Sequence, residues 1–174
     1  MAKNDALHAV DVPVALALVD VPEATFQQLS AMLGISTSTA HSSVARLRLA
    51  GLVREEKRVV VRQALLEFLE HGVRYAFPAR IERSMKGVAT AHAGPGLASL
   101  IASDDAFVWP YARGSVSGQA IAPLLESAAE LPDRSPGVYH MLTLVDALRV
   151  GRIRERAAAA KMLRDRLYET ASAA

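Results

Sequence analysis

Residues 25–62 read TFQQLSAMLGISTSTAHSSVARLRLAGLVREEKRVVVR. Thr25-x-x-Gln28 matches a capping box, in which two side chains satisfy orphan amides of a first helical turn. Phe26, Leu29 and Met32 then follow at helical spacing. Gly34 suits the left-handed residue that ends a helix, and Ser36 can cap the next one. With so few residues between them, the two helices must cross steeply. In the second helix Ala40, Val44 and Leu47 fall at i, i+4 and i+7 and make its inward face. Gly51 ends it. Leu52-Val53-Arg54 and Val59-Val60-Val61 read as two short strands, with Glu55-Glu56-Lys57-Arg58 as the tip between them.

Opposite that inward face lie Thr37, Ser38, His41, Ser42, Ala45, Arg46 and Arg48, a polar side with little acid. Two helices, a tight turn and a small ribbon predict a mainly α fold of winged helix-turn-helix type: three helices plus a short β-wing, followed by a helical, loop-rich C-terminal region. Such a fold sets one helix in the DNA major groove. The charge agrees. Residues 1–35 carry a net charge of −3 and residues 36–62 a net charge of +4, within a chain whose total is only +2. Positive charge therefore begins with the helix opening at Ser36, and local charge governs attraction to phosphate.

Outward from this stretch, Asp11 and Pro13 open a first helix running to Asp20. Residues 63–73 read as a fourth helix, with Leu65, Leu66, Leu69 and Val73 on one face. Residues 1–76 are expected to form the DNA-binding domain. Residues 77–137 are a Pro/Gly-rich connecting region, poor in helix signal. Within it Pro95 to Ala102 reads as a short helix. Phe107–Pro110 and Ser115–Ile121 are expected to pair as a hairpin across Tyr111 to Gly114, with Trp109 anchoring the segment to the core. Ser135-Pro136 restarts a helix, and Val138, Met141, Leu142, Val145 and Leu148 form its stripe. A last amphipathic helix spans Arg152 to Tyr168. This C-terminal pair, within 138–174, is the expected interface of a homodimer.

The run LSAMLGISTSTAHSSVARLRLAGLV resembles the winged-helix core of bacterial transcription regulators of the MarR and related types, over roughly Val10 to Leu69. The resemblance implies sequence-specific binding to double-stranded DNA. By position Ser38, His41, Ser42 and Arg46 match groove-facing sites, and Arg54, Lys57, Arg58 and Arg62 match the wing. Many such regulators carry a basic residue where this chain has Ser42, so reading leans on His41, Arg46 and small hydroxyls. Ser36, Thr37 and Arg48 complete the expected DNA surface. Arg reads guanine bidentately, and Ser or Thr serves base edge or phosphate.

Other chemistry has little to stand on. The chain has no cysteine, which excludes disulfides and thiolate metal sites. His8, His41, His71, His92 and His140 lack metal-ligand spacing, so no metal and no cofactor is expected. His92-Ala-Gly-Pro-Gly lacks the Lys-Ser/Thr of a phosphate loop. Asp104-Asp105 would point apart in a strand and make a weak acid pair. An enzyme is not expected. The Val12–Val19 run is too short to cross a membrane, and the reading is of a cytoplasmic protein. A second basic stretch, residues 149–166, has a net charge of +5. It is either a solvated pair of helix faces, with Asp146 pairing Arg149 or Arg152, or a further contact surface. Two rival readings remain. One is an antitoxin or adaptor whose C-terminal half binds a protein partner. The other is a ligand sensor with a pocket lined by Trp109 and Tyr111.

Overall fold

Thr25 opens a helix as its capping box requires. Its hydroxyl accepts the Gln28 amide at 3.1 Å, and the Gln28 side chain accepts the Thr25 amide at 2.7 Å. The computed structural model describes residues 5–101, 103 and 105–169. It begins with α1 (Asp11–Asp20), α2 (Phe26–Leu33) and α3 (Thr37–Leu49). Gly34, at φ 64°, takes the left-handed cap between α2 and α3, and Ser36 accepts the Thr39 amide at 3.0 Å. Ala40, Val44 and Leu47 are buried, as their spacing predicts. The wing is minimal: one bridge, Val53 to Val60, is framed by Arg54 N–H to Val59 O and Val61 N–H to Leu52 O, each 2.9 Å.

After the wing come α4 (Arg62–His71) and the short α5 (Val73–Ala76). Then follow three strands, β1 (Ile81–Thr90), β2 (Phe107–Pro110) and β3 (Val116–Ile121), and three helices, α6 (Leu131–Arg134), α7 (Pro136–Val150) and α8 (Ile153–Glu169). Two helices are buried on nearly every side. All of α1 from Asp11 to Val19 is buried, as is α7 from Met141 to Arg149. They pack on each other, and one continuous apolar core runs from Val12 through Leu47 and Leu69 to Leu144 and Leu167. A helix apolar all round belongs at the centre of a fold. The stripe on α7 faces its own chain, so it is not left open for a second copy.

The middle region departs from its reading. The turn at Tyr111–Gly114 forms, closed by Gly114 N–H to Tyr111 O at 2.9 Å. Its flanking strands do not make a hairpin. Both pair antiparallel with β1, a strand the sequence reading did not foresee: β3 along Ile81–Gly87 and β2 along Gly87–Thr90. β2 and β3 then meet each other in parallel at Phe107–Gln119 and Val108–Ala120, closing the three strands into a small barrel. Such closure needs a bare backbone at its tightest point. Gly87 faces both Pro110 and Val116, and a Cβ there would run into the Trp109 carbonyl. Residues 95–100 form turns rather than a helix, and Ala102 lies outside the described residues.

The barrel is fastened to α7 by a buried polar hub. Asp146, fully enclosed, accepts from the Trp109 indole at 2.6 Å, the Thr90 hydroxyl at 2.8 Å and the Arg149 guanidinium at 2.6 Å. Arg149 also donates to Phe77 O at 2.8 Å and, at 3.4 Å, to Ala122 O. Trp109 thus anchors the region as expected, and Asp146 pairs with Arg149 rather than with the exposed Arg152. Burial holds the Asp146 carboxyl above the ordinary carboxylate value, and Arg149 and the donated hydrogen bonds offset part of that rise. With every neighbour a donor, the ionised form is the one these contacts fit.

Two outcomes follow. Asp146→Asn strands the Arg149 charge in the interior and should cost about 3–5 kcal/mol in urea titration. Trp109→Phe removes one donor to a charged acceptor, at about 1.5–3 kcal/mol plus some lost packing. Wild-type stability in Asp146→Asn would show that the pair is not charged. Between α7 and α8, burial and then the charge of Arg166 lower the proton affinity of His140. The unfolded imidazole binds a proton more readily, so stability is full above its ordinary value and is lost as the pH falls below it. Urea midpoints from roughly pH 7 to pH 5 should fall less steeply in His140→Gln.

Candidate nucleic-acid interface

α3 presents Thr37, Ser38, His41, Ser42, Ala45 and Leu49 to solvent, with Ser36 exposed at its cap. These groups supply hydroxyls, an imidazole, a methyl and an isobutyl, and no free cation. His41 lies flat on Phe26, with ring centroids 3.4 Å apart and planes at 24°. Phe26 also sits 5.1 Å beneath the Arg58 guanidinium. One aromatic ring from α2 thereby orients a residue of α3 and a residue of the wing. Sequence periodicity assigned Phe26 to the core stripe and gave no sign of this second role.

The expected cations divide into three kinds. Arg46 is turned away from the open face. Its Nε and Nη2 grip both oxygens of Asp11 at 2.8 and 2.6 Å, and Nη2 also reaches the buried Ser43 hydroxyl at 3.2 Å. Asp11 is 1% exposed and the Arg46 side chain 13%. The hydrogen bond to Asp11, against the cost of burial, raises the guanidinium's proton affinity. The expectation that Arg46 reads a base edge therefore needs correcting, for its fork is filled and its charge cancelled. The reason is a contact across 35 residues of chain, which α-helical periodicity does not encode.

Arg58 and Arg62 are tied down but stay charged. Arg58 donates to Ala24 O at 2.8 Å and Glu23 O at 3.3 Å, pinning the wing to the α1–α2 connection. Arg62 donates to Leu167 O near the end of α8. A carbonyl partner leaves the Arg58 guanidinium its full charge. Arg54 and Lys57 stand exposed on the wing, beside Glu55 and Glu56. Arg48 is half-buried, with an Nε that has no hydrogen-bond partner, and lines a groove with His41, Ser42, Leu49 and Glu55. Arg48, Arg54, Lys57 and Arg58 thus place positive charge around the neutral open side of α3.

Of the remaining residues singled out in the sequence, Trp109 is 1% exposed and committed to Asp146, so it lines no pocket. Asp105 is exposed, and Asp104 lies outside the described residues. Among the described residues no helix is long and apolar enough to cross a membrane. Arg46→Ala should lower stability by about 3 kcal/mol by leaving Asp11 buried without its partner. Arg46→Lys should recover only part of it, since a point ammonium cannot bind both oxygens. Full stability of Arg46→Ala in urea would return this arginine to the groove.

Comparison of the whole chain with curated proteins and with solved structures returns no match. The family model described as MarR family matches residues 7–63 and leaves 64–174 unmatched. The matched stretch holds α1, the capped α2–α3 turn, the solvent-facing side of α3 and the wing. Residues 7–63 are thus similar to the winged helix of the MarR family.

Proposed function

We propose that this protein regulates transcription by binding a specific double-stranded DNA site, with α3 in the major groove and the wing along the phosphates. The observation that carries the reading is the open side of α3. Ser38, His41 and Ser42 lie exposed in a line, small enough to approach base edges. His41 is held against Phe26, which limits the freedom it would lose on binding. Base discrimination then rests on His41 and the hydroxyls, with the Ala45 methyl available to a thymine methyl. Arg54 and Lys57, with Arg58 and Arg62, supply sequence-independent phosphate attraction. Arg48, at the edge of the groove, is the one α3 guanidinium left to reach DNA.

One such helix covers a single half-site, so we propose a homodimer on a near-palindromic site, working in the cytoplasm. On this reading the protein is a regulator and not an enzyme. Selection of bound sequences from a random duplex pool should yield a symmetric motif. On that motif His41→Ala should weaken binding several-fold more than on random duplex. Lys57→Ala should weaken both alike and lower the salt slope by about one. A pool without an enriched motif, or equal losses on both duplexes for His41→Ala, would remove the reading role from α3.

A further inference from the structure

The basic C-terminal stretch takes no part in the surface around α3, and its outer half is unlike an ordinary solvated helix. The first turns of α8 lie between two troughs. One, of about 870 Å³, runs between Leu100 and Ile101 on one wall and Ile153 and Ala158 on the other. The second, of about 280 Å³, runs along Tyr75, Leu148 and Ala157, and Arg156 borders both. Leu100, Tyr75 and Ile153 are 67%, 74% and 77% exposed. Single exposed hydrophobics are common, but three around one stretch of helix form a patch.

The charges around this patch have one sign to spare. The side chains of Arg152 and Arg154 are exposed and have no hydrogen-bond or ion-pair partner among the described residues. The nearby carboxylates are already engaged. Glu155 accepts the Arg152 amide at 2.8 Å, and Glu70 accepts from Arg164 at 2.8 Å. Arg156 donates to Gly151 O at 3.0 Å and keeps its charge. Both troughs are open along their length. A small ligand there would leave much of itself in water, whereas small-molecule sites enclose most of their ligand. Duplex DNA would set phosphates against bare Leu100, Tyr75 and Ile153. A peptide that alternates carboxylates with aliphatic or aromatic side chains meets both the guanidiniums and the apolar walls.

We infer that this face docks an acidic, amphipathic segment of a partner protein. Its apolar side chains fill the trough between Leu100 and Ile153, and its carboxylates meet Arg152 and Arg154. The inference stands on α8 and its flanks alone and does not depend on DNA binding by α3.

The test is selection from a random peptide library displayed on phage, against the full chain. The expected outcome is enrichment of peptides that interleave Asp or Glu with Leu, Ile or Phe. Binding of the best peptide, read by fluorescence anisotropy, should fall about tenfold or more in Ile153→Asp and in the double variant Arg152→Glu/Arg154→Glu. It should not change in Lys57→Ala. Ile153 is exposed and opens a helix, where an acidic residue is tolerated, so the variant keeps its fold; Leu100→Ser checks the opposite wall. An empty selection, enriched peptides without that pattern, or affinity unchanged in both charge and apolar variants overturns the inference. So does a double variant that loses only random-duplex affinity, which would make the face a phosphate contact.

Discussion

A single carboxylate, buried among donors, fixes how the C-terminal half is assembled. Asp146 draws a donor from β1, one from β2 and one from its own helix turn. Left with fewer partners, a buried charge would be strongly unfavourable. The strands must therefore come to α7, and they must come in one arrangement. Arg149 extends the same demand to the ends of two connections, at Phe77 and Ala122. Tyr139 closes the layer from about two helical turns before Asp146, its ring 5.7 Å from Trp109 and its hydroxyl on Ala89 O at 2.8 Å. The small barrel has little core of its own, and it is this polar hub, with the packing around Trp109, that gives it a fixed seat.

The same logic governs the matched domain at smaller scale. Asp11 is buried beneath α3 and is matched by Arg46, while its Oδ2 also accepts the His8 amide at 2.8 Å. One carboxylate closes the start of α1 and holds α3 in place. An arginine that charge counting assigns to the duplex is spent on orientation instead. The open side of α3 is neutral at its centre and basic at its margins; in the proposed function the margins attract phosphate and the centre discriminates.

Legibility in the sequence followed the range of the interactions. Local devices were readable: the Thr25–Gln28 box, the Gly34 cap, the Ser36 cap and the inward stripe of α3 each depend on residues a few positions apart. The Tyr111–Gly114 turn was readable for the same reason. Long-range consequences were not. β1 mixes charges, a glycine and small residues, because its first half is exposed on both faces and its second half is buried only at Gly87 and Thr90; neither alternation nor a continuous apolar run marks it. The hairpin expectation failed because the strands beside a correctly placed turn found a better partner in β1. The contacts of Arg46 with Asp11, and of Phe26 with His41 and Arg58, were hidden for the same reason, while the place of Phe26 against the core was read correctly.

The burial of α1 on all sides has a consequence for how the molecule can be divided. One flank of α1 supports α2 and α3, and the other is covered by α7, which arrives more than a hundred residues later in the chain. α8 adds polar ties across the same seam, from Arg166 to Asp20 and from Arg164 to Glu70. A fragment ending after the wing would bare a wholly aliphatic helix flank to water. The winged helix of residues 7–63 is therefore not excisable, and a displacement of α7 or α8 has a direct mechanical route, through α1, to the angle at which α3 stands.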